Sequence, residues 1–235
     1  MTTYSECICA GLSAMGIATG DDLVGRLTAH LEMVTEVNTR FNLTAIDPDN
    51  AVSLHILDSM GARCALGDAP PGRFADIGSG AGYPGVPLSL VTGRPVDLVE
   101  SVGKKAAFLS EVTRELRLDA TVHRIRAEEL VSTHRDGFSA VTARALSALP
   151  SLVELAAPLL KPSGLLICLK GRPAAEEIAS GNAVATLCGM GPAHIVEVSI
   201  PGIEAARCIV VYRKTGRSRL KLPRRTGLAQ RSPLG

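Results

Sequence analysis

The sequence has few aromatic residues and no tryptophan. Only 3% of its 235 residues are aromatic, although 46% are hydrophobic. The core must therefore consist mostly of Leu, Val, Ala and Ile. The hydrophobic fraction is high enough to form a complete core, which excludes a globally disordered chain. A chain of this length is expected to form one domain, with at most a small appended subdomain.

Long apolar runs and a secretion signal are also missing. No apolar run approaches the roughly 18 residues that a membrane span requires. The first residues lack the basic start and the apolar region of a signal peptide. We therefore expect a cytoplasmic protein without a membrane partner.

The cysteines follow neither a metal-binding nor a disulfide pattern. There is no CxxC pair, and no histidine stands at zinc-ligand spacing. The sequence therefore predicts no metal site and free thiols in a reducing compartment. The six cysteines are Cys7, Cys9, Cys64, Cys168, Cys188 and Cys208.

Acidic residues are absent from the C-terminal end. From Arg213 to Gly235 there are eight Lys or Arg residues and no Asp or Glu, whereas the preceding 212 residues contain 17 basic against 23 acidic side chains. A mildly acidic body with a basic tail suggests that the tail contacts a polyanion. A partly disordered, solubilising end is the alternative.

From residue 73 onward, short apolar segments alternate with helical patterns such as Lys104–Leu116 and Pro150–Leu160. This alternation predicts a parallel sheet covered by helices on both faces. The last two strands follow each other without a helix, which predicts an antiparallel C-terminal edge. The seven predicted strands are Phe74–Ile77, Val96–Glu100, Thr121–Ile125, Ser139–Ala143, Leu165–Leu169, His194–Ser199 and Cys208–Tyr212.

The first 65 residues have a different, helical pattern. Leu23, Leu27 and Leu31 recur at helical spacing behind acidic residues that suit a helix start, and a second helix is predicted from about Asn50 to Gly61. The sequence thus divides into an N-terminal helical extension (1–65), an α/β core (66–212) and a basic tail (213–235).

The stretch Phe74–Gly85, FADIGSGAGYPG, follows the first predicted strand and precedes a helix. Such a loop lies where open α/β sheets bind ligands. Gly80, Gly82 and Gly85 satisfy the GxGxxG pattern of dinucleotide-binding proteins, with Glu100 at the position of a ribose-binding acid. A second interpretation is a GxGxG loop for S-adenosylmethionine (SAM), in which Glu100 serves the same purpose.

Three details favour SAM. Asp76 within the first strand is unfavourable beside a pyrophosphate, but it can interact with a cationic amino group or with loop amides. The glycines begin at Gly78, directly after the strand, so the chain turns before a match starting at Gly80 could form the tight turn. The third strand is followed by Ala127 and Glu128, a small residue and an acid where methyltransferases often contact adenine.

Two methyltransferase classes are disfavoured by missing motifs. No Asn/Asp-Pro-Pro-aromatic motif follows the fourth strand, which argues against methylation of exocyclic base amines. No Pro-Cys pair is present, so the usual nucleophile for pyrimidine carbon methylation is missing. The remaining acceptors are atoms that are already nucleophilic, or substrates activated by ordinary acid–base chemistry.

An ordered series of segments resembles the glucose-inhibited division protein B family, also called RsmG. The segments are NLTAI (Asn42–Ile46), HILDS (His55–Ser59), DIGSGAGYPGVPL (Asp76–Leu88), VESVGKKAAFL (Val99–Leu109), RAEEL (Arg126–Leu130), VTARAL (Val141–Leu146), LKGR (Leu169–Arg172) and PRRTGLAQRSPL (Pro223–Leu234). The resemblance implies a Rossmann-like class I SAM methyltransferase fold and methylation of N7 of a guanine in 16S ribosomal RNA, free or within a small-subunit particle.

The resemblance also implies roles for individual residues. Gly78 and Tyr83 would line the SAM pocket, Glu100 would hold the ribose, and Ala127 with Glu128 would contact the adenine end. The remaining implied cofactor residues are Asp76, Gly80, Gly82 and Arg144.

The substrate would be held by three side chains, Asn42, Arg144 and Lys170, with Phe41 and Tyr83 as candidates for stacking on a base. Each also has a structural interpretation: Asn42 as a turn residue, Arg144 as a partner of Glu100 or Glu128, and Lys170 as a solvated strand end. His55 and Asp58, three residues apart, are expected to make a structural hydrogen bond to the loop Asn42–Thr44.

Phosphate contacts are expected from exposed basic residues, with salt-dependent affinity and little sequence discrimination. These residues are Arg40, Lys104, Lys105, Arg213, Lys214, Arg217, Arg219, Lys221, Arg224, Arg225 and Arg231.

Guanine N7 has a free lone pair and no proton, so its methylation needs no general base, and we assign none. Alignment and electrostatics would then supply the catalysis. Three alternatives stay open at this point: a methyltransferase with a small-molecule or protein substrate, a nicotinamide-dependent oxidoreductase, and a non-catalytic RNA-binding module.

Overall fold

A seven-stranded sheet with the order β3-β2-β1-β4-β5-β7-β6 forms the centre of the computed structural model, which describes residues 3–234. The strands β1 to β5 are parallel, and β7 pairs antiparallel with both β5 and β6. The strands are β1 (Phe74–Ile77), β2 (Val96–Val99), β3 (Ala120–His123), β4 (Phe138–Arg144), β5 (Leu160–Gly171), β6 (His194–Ile200) and β7 (Ile203–Arg213).

This topology confirms the predicted Rossmann-like class I fold with a mainly parallel sheet and an antiparallel C-terminal edge. The strand order reverses between β1 and β4, because β2 lies on one side of β1 and β4 lies on the other. A crevice opens at such a reversal beyond the carboxyl ends of the strands. The hairpin of β6 and β7 is inverted relative to chain order, so β6 is the outer strand.

Helices cover both faces of the sheet. Alternating residues of β1 enter two different clusters, Phe74 on one face and Ala75 and Ile77 on the other. The helices are α1 (Tyr4–Ala14), α2 (Asp21–Asn38), α3 (Asp58–Met60), α4 (Arg63–Gly67), α5 (Gly85–Thr92), α6 (Gly103–Glu115), α7 (Ala127–His134), α8 (Leu149–Ala156), α9 (Ala175–Leu187) and α10 (Leu228–Arg231).

The N-terminal helices pack on the same face as α5 and α6. Leu27 and Leu31 of α2 are fully buried in the cluster that contains Val86 of α5 and Phe108 of α6. The predicted helix at 50–61 is divided into a 3₁₀ turn (Pro48–Asn50), a π-helical segment (Val52–Leu57) and α3. The helical region continues through α4, beyond the predicted boundary at residue 65. Within residues 3–234, none of the helices combines the length and apolar character that crossing a membrane would require.

The basic C-terminal end folds back onto the body, and this corrects two expectations about RNA contact. Lys214 is only 8% exposed, and its ammonium donates to the carbonyl oxygens of Ala157 at 2.9 Å and Cys188 at 3.2 Å. Arg224 donates two hydrogen bonds of 2.6 Å to the buried carboxylate of Glu154. Both cations are therefore engaged in holding the end of the chain to the core.

Apolar residues of this C-terminal end join the core as well. Leu222 and Ala229 are buried in the cluster that contains α7, α8 and α9. The segment predicted as a tail at 213–235 is therefore packed structure, at least through residue 234. These residues do not form a separate, solvated basic arm.

Candidate cofactor and substrate sites

The glycine loop after β1 needs glycine for conformational reasons. Gly78, Gly80 and Gly82 have φ values of +71°, +55° and +95°, a region that residues with a Cβ adopt at a cost of roughly 1–2 kcal/mol. A Cβ on Gly78 would also lie 2.7 Å from Leu146. The three glycines that define the SAM interpretation are thus the three that turn the chain at the end of β1.

Gly85 has a different role. A Cβ on this residue would lie 2.7 Å from Leu98 of β2 and 2.8 Å from the Asp76 side chain. Gly85 therefore permits the close approach of α5 to the sheet.

Asp76 supports the loop from inside the protein. Its side chain accepts hydrogen bonds from Thr142 Oγ1 at 2.8 Å and from the Gly85 amide at 3.2 Å. Burial raises the pKa of this carboxyl to about 6, and the two hydrogen bonds oppose that rise. Of the two interactions predicted for Asp76, the structure contains the one with a loop amide. Asp76 does not line the cavity described next.

A cavity of about 240 Å³ lies above the ends of β1 and β2, bordered by the glycine loop. Glu100 stands at its edge: Oε2 accepts from the Gly80 amide at 3.0 Å, and Oε1 accepts from the Val102 amide at 2.7 Å. Each carboxylate oxygen can accept a second hydrogen bond, so Glu100 is able to bind a diol. The lining includes five of the predicted cofactor residues, Gly78, Gly80, Glu100, Ala127 and Glu128.

One wall of this cavity comes from the C-terminal end of the chain. Glu128 accepts a hydrogen bond of 2.6 Å from the Gly227 amide, and Gln230 lines the cavity and pairs with Arg126 at 3.4 Å. The sequence did not predict that Gly227 and Gln230 lie at the cofactor site. The similarity of the segment Pro223–Leu234 to the family was the only available signal.

Tyr83 does not reach this cavity, which departs from its predicted role. Its ring is 3% exposed and lies between two imidazoles, with ring centroids 4.5 Å from His30 and 4.2 Å from His55. Its buried hydroxyl has no hydrogen-bond partner among residues 3–234. Tyr83 therefore fixes the glycine loop against the N-terminal helices.

The two histidines around Tyr83 are held in the neutral form. His30 Nε2 lies 2.9 Å from the Ala81 carbonyl oxygen and so donates to it. Burial lowers the pKa of His30 to about 4. Burial, together with the neighbouring Arg144, lowers the pKa of His55 to about 3.

A second cavity, of about 630 Å³, opens beyond the ends of β4 and β5. Ala145 lines both cavities, so they are neighbours in the structure. It has a φ of +52°, an unfavourable conformation for alanine that is typical of functional sites. The second cavity is lined by Thr44, Ile46, Leu54, His55, Asp58, Arg144, Ala145, Leu169, Lys170, Gly171 and Arg207.

Arg144 is oriented by contacts with the N-terminal helices. Its guanidinium donates to the Leu54 carbonyl oxygen at 2.7 Å, to Asp58 Oδ2 at 3.1 Å and to His55 Nδ1 at 3.2 Å. The partner of Arg144 is thus Asp58 and not Glu100 or Glu128, the partners proposed in its structural interpretation.

Asp58 also binds a second arginine, which sequence analysis missed. Its Oδ1 accepts from Arg207 Nε at 3.1 Å, so two guanidinium groups share one carboxylate at the wall of the second cavity. The predicted structural role of His55 is present too, since its Nε2 lies 3.2 Å from Thr44 Oγ1.

The two remaining substrate candidates are placed differently. Lys170 lines the second cavity and forms an ion pair of 2.8 Å with Glu177. Asn42 is exposed and lies outside the lining of both cavities. Phe41 is half-buried against the N-terminal core, which agrees with its structural interpretation.

Most of the predicted phosphate-binding residues are at the surface. Arg40 is exposed and pairs with Glu36 at 2.5 Å, and Lys105 lines the smaller cavity. The other exposed members are Lys104, Arg213, Arg217, Arg219, Lys221, Arg225 and Arg231.

Comparison with known proteins identifies the family. The family model GidB, described as rRNA small subunit methyltransferase G, matches residues 24–206. A protein named ribosomal RNA small subunit methyltransferase G from Roseiflexus sp. (strain RS-1) is 43% identical over 206 residues, covering 84% of this chain and 86% of that protein. One with the same name from Pelotomaculum thermopropionicum is 34% identical and covers 100% of both chains.

Solved structures agree with this result at the level of the fold. The SAM-dependent O-methyltransferase of Thermotoga maritima is 14% identical, with a TM-score of 0.54, and the match covers 79% of this chain and 72% of that one. The family match begins at residue 24, before Asn42–Ile46, the first of the resembling segments. The chain therefore belongs to the rRNA small subunit methyltransferase G family, which confirms the predicted resemblance, the methyltransferase activity and SAM as the cofactor.

Proposed function

We propose that this protein transfers a methyl group from SAM to N7 of a guanine in 16S ribosomal RNA, and that the two cavities bordered by Ala145 hold the cofactor and the guanine. The observation that carries the proposal is that this one residue lines both cavities. It lies beyond the carboxyl ends of the strands, directly after Arg144, where a donor in one cavity can face an acceptor in the other. Because its substrate in this proposal is ribosomal RNA, we also propose that the protein acts in the cytoplasm.

The smaller cavity has the groups that SAM requires. Glu100 is positioned to accept hydrogen bonds from the ribose hydroxyls, and the loop at Gly78 and Gly80 lets the backbone approach the amino-acid part closely. Ala127 and Glu128 border the side that would receive adenine. These assignments are supported by the lining of the cavity and by the spacing of the motifs along the chain.

The chemistry requires few groups from the protein. SAM supplies a methyl group on a positively charged sulfur. The acceptor N7 must stay free of hydrogen bonds, so the arginines of the second cavity are suited to contact guanine O6 or a backbone phosphate. Asp58 holds Arg144 and Arg207 in fixed positions before RNA binds, which reduces the entropy lost on alignment.

RNA would be bound mainly by phosphate contacts around the second cavity and the C-terminal segment. The exposed side chains available for this include Arg217, Arg219 and Lys221. Because Lys214 and Arg224 are engaged with the core, the proposed RNA surface no longer includes them. Affinity for RNA should therefore depend on salt through the exposed residues only.

The proposal is tested by incubating the protein with methyl-tritiated SAM and either free 16S RNA or small-subunit particles lacking the modification. The RNA is then digested to nucleosides. Label recovered as 7-methylguanosine supports the proposal, and comparing the two substrates decides which form is methylated. Label in another nucleoside would contradict N7 as the acceptor. Label in protein or small molecules alone would favour the alternative substrate classes.

A further inference from the structure

Two histidines and an aspartate meet at a point distinct from both cavities. Asp97 lies in β2, His123 at the end of β3 and His134 at the end of α7. One ligand atom from each residue can be chosen so that all three lie within 4.8 Å of one another. The Asp97 side chain is 1% exposed, whereas the imidazoles are 16% and 32% exposed. The cluster is therefore anchored on a buried carboxylate and is open to solvent on one side.

The hydrogen bonds of His134 leave a lone pair facing the carboxylate. Thr133 Oγ1 donates to the Leu130 carbonyl oxygen at 3.3 Å, so it accepts from His134 Nδ1 at 2.8 Å. With the proton on Nδ1, the other ring nitrogen presents a lone pair, and it lies 3.7 Å from Asp97 Oδ2. Two acceptors that face each other in this way are stabilised by a cation between them.

We propose that Asp97, His123 and His134 bind a divalent transition-metal ion, with Zn²⁺ as the best match. Imidazole nitrogen and carboxylate oxygen are preferred zinc ligands at about 2.0–2.2 Å, and three protein ligands leave a fourth position for water. His123 Nε2 already lies 2.7 Å from Asp97 Oδ2, so small side-chain rotations are enough to surround an ion. His123 gives up the proton on Nε2 when that nitrogen becomes a ligand.

The residues around the cluster are arranged as supports for metal ligands. Arg73 Nε donates to the other oxygen of Asp97, Oδ1, at 2.6 Å, and Thr133 holds the ring of His134. Outer hydrogen bonds of this kind orient ligands and fix the histidine tautomer. The positive charge of Arg73 also repels a metal ion at Asp97. We therefore expect moderate affinity for the metal, and higher affinity when this charge is removed.

The location of the cluster suggests what a bound ion would do. Two of the three elements that hold its ligands also border the cofactor cavity: β2 contributes Val99 and leads to Glu100, and α7 begins with Ala127 and Glu128. The Glu100 amide donates to the His123 carbonyl oxygen at 3.0 Å. An ion at the cluster would therefore fix the spacing between the ribose-binding acid and the adenine wall, as a structural cross-link.

The experiment uses the full chain after treatment with a chelator and dialysis. Binding of Co²⁺ is followed by visible absorption and binding of Zn²⁺ by calorimetry, and the melting temperature is measured with and without Zn²⁺. We expect one equivalent to bind, a higher melting temperature, and no cobalt–thiolate absorption band. His134→Gln should weaken binding at least tenfold and lose the thermal shift. The matched control is His194→Gln, at an exposed histidine on β6, and it should behave as the unaltered protein.

Further variants separate folding from ligation. His134 is partly exposed at a helix end, so the metal-free melting temperature of His134→Gln should stay close to that of the unaltered protein. Arg73→Gln should increase the affinity for Zn²⁺ several-fold, because it removes a positive charge while keeping a donor. Equal affinity of the unaltered protein and His134→Gln would overturn the proposal, as would a thiolate band or the absence of binding at equimolar metal.

Discussion

Glu100 and Gly80 are joined directly: Oε2 of the acid that follows β2 accepts a hydrogen bond of 3.0 Å from the amide of the second glycine of the loop after β1. The two sequence features that predicted the cofactor site are therefore parts of one hydrogen-bonded unit. Glu100 holds the loop in shape, and in the proposed function its remaining lone pairs accept from the ribose hydroxyls. Its loss should affect both functions.

Glu100→Gln should weaken SAM binding by about 10- to 100-fold, because hydrogen bonds to a charged group contribute about 1.5–3 kcal/mol. Calorimetric titration with SAM measures the change. Glu111→Gln, at an exposed acid on the neighbouring α6, serves as the control for charge. Unchanged SAM affinity in Glu100→Gln would contradict the assigned ribose contact.

Gly78→Ala should reduce both thermal stability and SAM affinity. The substitution combines an unfavourable φ with a contact of 2.7 Å to Leu146 at the cavity wall. Gly16→Ala is the matched control, since Gly16 has a similar φ of +67° and no neighbouring atom within 4 Å. The control carries the conformational cost of about 1–2 kcal/mol alone. Equal stability losses and unchanged SAM binding in the two variants would show that the loop tolerates a side chain.

Deleting residues 226–235 should weaken SAM binding although most of the basic residues are retained. The deletion removes the Gly227 amide, which donates a hydrogen bond to Glu128. It also removes the Gln230 side chain, which lines the cavity. It also removes Ala229 from the core, so a lower melting temperature is expected. SAM affinity and melting temperature equal to those of the full chain would show that this end is not part of the cofactor site.

Replacing Arg217, Arg219 and Lys221 together by Gln should weaken RNA binding and leave SAM binding intact, unlike the deletion. All three are exposed, so SAM affinity should be unchanged while RNA affinity falls. Each lost phosphate contact should reduce the slope of log affinity against log salt by about 1. Filter binding over a range of salt concentrations measures this slope, with Arg114→Gln on α6 as the control. A slope that stays the same would place the RNA surface elsewhere.

Stability should decrease as the pH falls from about 6.5 toward 4. The pKa values of His30 and His55 are lowered to about 4 and about 3 in the folded state, so in this range the unfolded chain takes up protons that the folded chain does not. Asp76 acts in the opposite direction, because its pKa is raised to about 6 in the folded state. Between about pH 6 and pH 4 the folded chain takes up this proton and the unfolded chain does not, which stabilises the folded state. Because two histidines act against one acid, the free energy of unfolding should decrease by about 1–3 kcal/mol between pH 7 and pH 5.

Urea denaturation at pH 7 and pH 5 checks this expectation. His30→Gln keeps a side-chain donor for the Ala81 carbonyl oxygen but cannot titrate, so its loss of stability over the same interval should be smaller. An identical pH dependence in the variant and the unaltered protein would show that His30 is not one of the groups responsible.

The fold was largely predictable because it follows from local patterns and topological rules. The seven strands were located within a few residues, apart from the longer β5 and β7, and the alternation with helices required a parallel sheet. The interruption of the helix at 50–61 was less predictable, because the partners of this segment are distant in sequence: His55 of the π-helical part and Asp58 of α3 both contact Arg144 of β4.

The candidate site was predictable only in part. Gly78, Gly80, Glu100, Ala127 and Glu128 follow strand ends, and strand ends of a parallel sheet meet at one edge. Tyr83 was assigned to the same cavity because it is adjacent in sequence. The backbone turn directs it instead toward His30, a residue that no spacing rule connects with the loop.

The sequence by itself determined the sheet, the glycine loop and the pairing of that loop with an acid, because each depends on neighbouring residues or on the fixed direction of parallel strands. Tertiary structure alone decided which basic residues stay free, which arginines share Asp58, and which histidines gather around Asp97. Those outcomes depend on contacts between residues 26 to 149 positions apart. Burial, and not composition, then decides whether a charged side chain binds a partner in the core or remains available to RNA.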